Sequence, residues 1–238
     1  MPQSEHAPAN LSSASRPSAT PSGRVELLAV PGLPELSPGD DLAGAIVANA
    51  AAAGIAIRDG DVIVIAQKAV SKCEGAYVDL ATVVPSAEAL ALAGRTGKDP
   101  RLVEAILADT GEVLRAVPGV LIVAHRTGHV MANAGIDASN LPPGESERVL
   151  RLPVDPDASA RRLKTEIETA TAQRVAVIIN DSWGRAWRNG TMGHAVGAAG
   201  LPALWDRRGE ADMHGRVLRV TEIGLADEIA AAASLVMG

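Results

Sequence analysis

The chain has 238 residues, a formal net charge of −6 and 47% hydrophobic residues, but three Trp, one Tyr and no Phe. That composition offers neither the basic surface nor the stacking platform of a nucleic-acid binder, and no apolar run reaches the roughly 20 residues that span a bilayer. The single cysteine, Cys73, excludes an internal disulfide, so the chain reads as a cytoplasmic protein of one large domain or two small lobes.

Residues 1–23 are rich in Ser, Pro and Ala. They lack the basic and apolar regions of a secretion signal and read as a disordered leader, with the folded domain over 24–238. Val25 to Val30 reads as a strand and residues 31–38 as a loop. Asp40 or Asp41 is placed to cap a helix running to Ala53. Arg58-Asp59-Gly60 marks a turn, and residues 61–65 form a buried strand with Gln67, Lys68, Ser71 and Lys72 clustered just beyond it. Helices are expected from Ser86 to Arg95 and from Asp99 to Arg115, with Pro100 at a tolerated first-turn position. Asp155 caps a further helix over 158–170. Residues 217–221 are a strand candidate, and an Ala-rich helix runs from Asp227 to Val236 with Asp227 and Glu228 favouring its N-terminus.

Two polar stretches carry most of the chemical information. Val120 to Val123 leads into Asn133-Ala-Gly-Ile-Asp137-Ala-Ser-Asn140, and Val175 to Ile179 leads into Asn180-Asp181-Ser182-Trp183-Gly184-Arg185. Each reads as a buried strand running out into a loop, the usual place for a small-molecule site. Asp137 and Asp181 can converge on a hard cation of the Mg2+ or Mn2+ kind, since carboxylate and hydroxyl oxygens suit these better than zinc. The competing reading is a pair of ordinary Asx-rich turns. Lys68 and Lys72 can neutralise phosphates, or be solvated surface lysines. Arg185 and Arg188 can hold a carboxylate or phosphate, or form surface salt bridges. His194 and His214 have no zinc-site spacing and read as loop or packing residues, and Cys73 reads as a small buried hydrophobe. The glycines at 190, 193, 197 and 200 predict close backbone approach, between layers or to a ligand. Neither a G-x-G-x-x-G nor a P-loop pattern is present. The alternation of strands and helices predicts a mixed α/β (α+β) fold.

Taken in order, these segments resemble the coenzyme F420-0:L-glutamate ligase family, γ-glutamyl ligases of the CofE type. The resemblance rests on Gly32-Leu-Pro-Glu-Leu36, Pro38-Gly-Asp-Asp-Leu42, Val70-Ser-Lys-Cys-Glu-Gly75, the stretches around Asp137 and Asp181, Asp155-Pro-Asp-Ala-Ser159, and the closing Leu235-Val-Met-Gly238. It implies a two-lobed ligase fold in an intertwined homodimer. It also implies a GTP-dependent enzyme that joins L-glutamate to a deazaflavin precursor through an acyl phosphate, with further glutamates added by γ-linkage. GTP is the co-substrate, Mn2+ or Mg2+ the metal, and K+ an optional further cation. Carried over by motif, Asp137, Asp181 and Arg185 are the catalytic set, and Asp137, Asp181 and Ser182 the metal ligands, Ser182 standing where the family has Thr. Leu33, Pro34, Glu35, Leu36, Gln67, Lys68, Lys72, Asn140, Leu235, Val236, Met237 and Gly238 line the nucleotide site.

Two departures bear on this. Thr191-Met192-Gly193-His194 stands where many bacterial members have Gln-Thr-Asp, which bears on the acceptor. The family continues beyond the position of Gly238 with another metal ligand, so the domain is expected to be cut short. The alternatives are a GTP-dependent amide ligase acting on another small carboxylate, and a truncated homologue that binds nucleotide or deazaflavin without turnover.

Overall fold

The structure, a computed structural model, describes residues 23–137 and 147–237. In chain order the elements are α1 (Leu42–Ala52), β1 (Val62–Ala66), α2 (Gln67–Cys73), β2 (Tyr77–Asp79), α3 (Ala87–Thr96), α4 (Pro100–Leu107), β3 (Thr110–Val117), β4 (Val120–His125), β5 (Val130–Ala132), β6 (Arg148–Leu150), α5 (Pro156–Thr171), β7 (Ala176–Arg185), β8 (Arg188–Ala199), β9 (Trp205–Asp206), β10 (Glu222–Ile223) and α6 (Leu225–Met237). The fold is mixed α/β, as the sequence predicts. Among the described residues no helix is long and apolar enough to cross a membrane.

Several helices begin where the sequence supplies a cap. Asp41 accepts the Gly44 N–H at 2.8 Å, Ser86 accepts that of Ala89, and Asp155 accepts that of Ala158 at 2.9 Å ahead of Pro156. Each satisfies a donor that the first turn leaves without a partner. α3 ends on Gly97, whose φ of 72° is the left-handed conformation that closes a helix.

The central sheet has strand order β1-β7-β8, with β1 parallel to β7 and β7 antiparallel to β8. Side chains of β7 alternate between two cores. Val177 and Ile179 join Ile65, Leu42, Ile46, Leu163 and Ile167 beneath α1 and α5. Ile178 points the other way, against Ala226 and Ala230 of α6, with Val62 and Val64 beside it. All three β7 residues are fully buried, as expected of a strand covered on both faces.

A second lobe packs α3 and α4 on the antiparallel sheet β3-β4-β5 around Leu92, Val103, Ile106, Leu121 and Val123. Its charged anchor is Asp109, 2% exposed, which accepts hydrogen bonds from Arg151 and pairs with Arg126 at 3.1 Å. The small pair β2-β6 is antiparallel, and Asp137 forms an isolated bridge to Leu150 at the end of β6.

The glycine-rich stretch is β8, and its glycines serve contacts between layers. A Cβ on Gly193 would lie 2.6 Å from the Ala230 carbonyl of α6, and one on Gly197 would lie 2.7 Å from the Pro156 side chain of α5. Of the two alternatives the sequence leaves open, the structure assigns layer packing to both.

Four local expectations are corrected. Residues 25–30 belong to no sheet; Val25 is 84% exposed and the chain there is simply extended. The helix expected over 99–115 stops at Leu107, and residues 110–117 become β3, whose β-branched positions pair with β4. Asn180-Asp181-Ser182 is not a loop but the middle of β7, continued as a two-stranded ribbon with β8 past the end of β1. From Asp181 onward pairing with β8 alone satisfies the backbone and holds the segment extended. Residues 217–221 contribute one isolated bridge, Ala211 to Val217, and the strand that forms is β10. The expected leader lies almost wholly outside the described residues.

Candidate active site

Parallel strands β1 and β7 end together at Ala66 and Asn180, and a cleft of about 730 Å3 opens there. A sheet's carboxyl edge is where ligands of α/β proteins bind, because strand ends and helix starts point their polar groups outward there. Three elements wall it. The segment Leu33 to Leu36 forms one side, the first turns of α2 bring Gln67, Lys68 and Lys72, and α6 brings Ala231, Ser234, Leu235 and Met237. The ribbon adds Asn180, Asp181, Ser182, Thr191, Met192 and Gly193.

Lys68, at the cleft's edge, pairs with the Asp137 carboxylate at 2.7 Å, both side chains about one-third exposed; Asp137 itself stands just outside the lining. Asp137 is fixed by mutual backbone hydrogen bonds with Leu150, 3.0 and 2.8 Å. Burial pushes the Asp181 carboxyl above its ordinary range. The Asp137 carboxylate adds to this, while the Ser182 backbone N–H, Lys68 and His194 oppose it. Asp137, Asp181 and Lys68 therefore act on one another as a single electrostatic group. Asp181 and Ser182 are consecutive in an extended strand, so their side chains leave opposite faces.

Beside Asp181, the ladder places His194 as its cross-strand partner. The His194 ring stacks on Trp183, 4.1 Å between centroids and 10° between planes. Its Nδ1 donates to the Met192 carbonyl at 2.9 Å, since a carbonyl can only accept. His129 meets the same indole edge-on at 5.7 Å. The packing role expected for His194 is the one observed. His214 lies in an exposed loop, its backbone N–H bound by Asp212. Cys73 is half-buried against the main core, where burial raises its thiol.

Among the expected nucleotide residues, Leu33, Pro34, Glu35, Leu36, Gln67, Lys68, Lys72, Leu235 and Met237 all line the cleft. Val236 is not part of the lining and is 38% exposed. Arg185 is also absent from the lining; it pairs with Arg188 across the far end of the ribbon. Asn140 and Gly238 lie outside the described residues.

Asn180 and Ser234 line the cleft although neither was expected there. Asn180 donates through Nδ2 to the Ser234 hydroxyl at 3.1 Å, and its buried Oδ1 has no hydrogen-bond partner. Buried Gln67 likewise accepts from Ser71 while its Nε2 is unpartnered. A buried polar atom left unpaired costs free energy, and two at one cleft point to ligand contacts. The only sequence signal for Ser234 was its one-helical-turn spacing from Ala230 and Ala231.

The donor set is carboxylate, amide and hydroxyl oxygen, which fits a hard divalent cation. Among the described residues no group of three or more His, Cys, Asp and Glu could hold a metal ion. Two carboxylates with the remaining ligands drawn from phosphates and water is the usual arrangement for Mg2+ at nucleotide sites.

The family profile described as F420-0:gamma-glutamyl ligase matches residues 32–238. The coenzyme F420:L-glutamate ligase of Methanothermobacter thermautotrophicus is 48% identical over 214 residues, 90% of this chain and 84% of that protein. The enzyme of the same name from Methanopyrus kandleri is 47% identical over 204 residues, 86% of this chain and 78% of that one. That of Archaeoglobus fulgidus is 43% identical over 215 residues, 90% and 83% respectively.

Proposed function

The chain belongs to the F420-0:gamma-glutamyl ligase family, and from that premise we propose that it joins L-glutamate to the coenzyme F420 precursor at the expense of GTP. The observation that carries the reading is the convergence of Lys68, Asp137 and Asp181 at the mouth of a cleft walled by Leu33 to Leu36, α2 and α6. Forming an amide from a carboxylate requires the oxygen to leave as something better than hydroxide. Transfer of the γ-phosphoryl group of GTP to the acceptor carboxylate makes an acyl phosphate. Attack by the glutamate amine then forms the amide and releases phosphate, GDP having formed in the first step.

Each reactant is an anion, so the site must supply positive charge and fixed dipoles. Lys68 and Lys72, one helical turn apart on α2, are placed to hold phosphate oxygens as point charges. Asp137 and Asp181 would hold a divalent cation, with the Ser182 hydroxyl at the strand edge. When bound, Mg2+ or Mn2+ neutralises developing charge on the transferring phosphoryl group. The Gln67 Nε2 donor and the Asn180 Oδ1 acceptor are available to the nucleotide. Leu235 and Met237 add apolar surface to the cleft from α6.

The same reading includes a cytoplasmic homodimer in the family's two-lobed fold. Its support is apolar surface. Trp187, at the ribbon's tip, is fully exposed, and Leu204, Met213, Val217 and Val220 are each more than half exposed, apolar surface that a partner subunit would cover. A monomeric mass in light scattering at micromolar concentration would refute this part.

The test of the reaction is mass spectrometry of the F420 precursor after incubation with GTP, glutamate and Mn2+. A gain of one or more glutamyl units with GDP release is expected. GDP release with other small carboxylates and none with the precursor would move the activity to a different acceptor. No product from any acceptor would leave a binding protein.

A further inference from the structure

The ion pair at the cleft mouth sets Lys68 two demands. It belongs to the wall that faces the nucleotide, yet its ammonium is already committed to Asp137 at 2.7 Å. We infer that Lys68 couples cation binding to nucleotide binding: it holds Asp137 as a resident positive charge until phosphate draws it away, so that the divalent cation and the nucleotide are taken up together. This rests on the functional reading above and assigns to one residue the order in which that site fills.

Charge and reach carry the argument. Asp137, Asp181 and the lining Glu35 bring three negative charges, and Lys68 and Lys72 bring two positive ones, so the site as it stands carries one surplus negative charge. A divalent cation entering alone must displace an ammonium from its carboxylate and turn that surplus into one uncompensated positive charge. Entering with a polyphosphate, it brings its own counter-charge and gives the displaced ammonium a new partner. Lys68 sits in the first turn of α2, and Lys72 lies four residues on. Lys72 makes no ion pair among the described residues. A side chain with four rotatable bonds can swing from Asp137 into the cleft without moving the helix. With only two carboxylates present, the cation also needs phosphate oxygens to complete its coordination. Both demands are met by the same event, and linkage makes the effect reciprocal.

The experiment titrates Mn2+ alone, read by the electron paramagnetic resonance of the free ion, into wild type and the variants K68M, K68R and K72M, then repeats each with saturating GDP. Removing the competitor should let K68M bind Mn2+ about two- to fivefold more tightly than wild type without nucleotide, the factor set by one partly exposed ion pair. The tightening produced by GDP should shrink in K68M by the same factor. K68R, which keeps the pair, should match wild type. K72M, which removes the same charge from the same helix, should stay within twofold of wild type for Mn2+ alone. Equal or weaker Mn2+ binding by K68M overturns the inference. So does an equal gain in K68M and K72M, which would mark a general field rather than one displaced partner. Absence of Mn2+ binding in all four proteins overturns it too, and glutamyl transfer by mass spectrometry would then show whether the proposed reaction stands without it.

Discussion

Gly193→Ala tests how the cleft wall is held. Gly193 lies in β8 where α6 crosses the ribbon, and a Cβ there would sit 2.6 Å from both the Ala230 carbonyl oxygen and Asn180 Oδ1, and closer still to the Ser234 hydroxyl. Ordinary contact begins at 3.4 Å, so α6 must retreat by about 0.8 Å. The helix backbone cannot rotate out of the way as a side chain could. Overpacking of this kind costs about 1–3 kcal/mol, which for a chain of this size lowers Tm by about 2–12 °C. Because Ala231, Ser234, Leu235 and Met237 of α6 line the cleft, GTP affinity measured by calorimetry should fall as well. Gly184→Ala is the control: it lies in the same ribbon with nothing within 4 Å of the added carbon, and its Tm should stay within about 2 °C. Adding Ser234→Ala to Gly193→Ala should recover only part of the loss, since the Ala230 carbonyl remains. Equal melting of Gly193→Ala and Gly184→Ala would refute the account of the α6 contact.

Lys72→Ala should weaken GTP binding in the presence of Mn2+ by about 10- to 100-fold, the worth of one hydrogen bond to a charged group, while Tm moves by less than about 2 °C; equal affinity by calorimetry removes Lys72 from the site. Asp109→Asn leaves Arg151 and Arg126 without their buried partner and should cost about 3–5 kcal/mol in urea unfolding; a loss under 1 kcal/mol contradicts the assigned anchor role. Burial raises the Asp181 carboxyl from its ordinary 3.8, so the folded state binds the proton more tightly than the unfolded one. Metal-free wild type therefore loses stability as pH rises from that value through the raised one. Asp181→Asn should be the more stable protein at pH 7 without metal, the gap narrowing toward pH 4, and the order should reverse with Mn2+ and GDP; a constant gap across pH would exclude the carboxylate as its source.

Sequence made legible whatever local chemistry determines. Asp40 or Asp41, Ser86, Asp99 and Asp155 each announced a helix start, because a capping oxygen acts within three residues of itself, and of the first pair it is Asp41 that caps. Part of the cleft lining was legible through family resemblance, since Leu33 to Leu36 and residues of α6, far apart in sequence, line one cleft. Partner-dependent structure was not legible. In residues 110–115 Thr110 and Gly111 weaken the helix, but a strand forms there because β4 offers a ladder. Asp181 reads as a loop residue because Asx-rich segments normally turn, and only pairing with β8 keeps it extended. The Lys68–Asp137 pair joins residues 69 positions apart, and neither the spacing nor the type of either residue names the other. Gly193 signalled a close approach, but not which helix would make it.

The parallel pairing of β1 with β7 has a consequence in time. Asp59 and Gln173, flanking the two strands, are hydrogen-bonded across a separation of 114 residues, and the whole second lobe is looped out between them. At roughly 5–20 residues per second, β1 waits about 6–23 s on the ribosome for the strand it must pair with. The intervening lobe, whose β3-β4-β5 sheet and α3–α4 pair are joined by short connections, can collapse during that wait. Its folding shortens the effective loop and lowers the entropy of closing it. The cleft, whose floor is the shared end of β1 and β7, is then the last feature to form, and ligand affinity should be the last property acquired during refolding, later than bulk secondary structure.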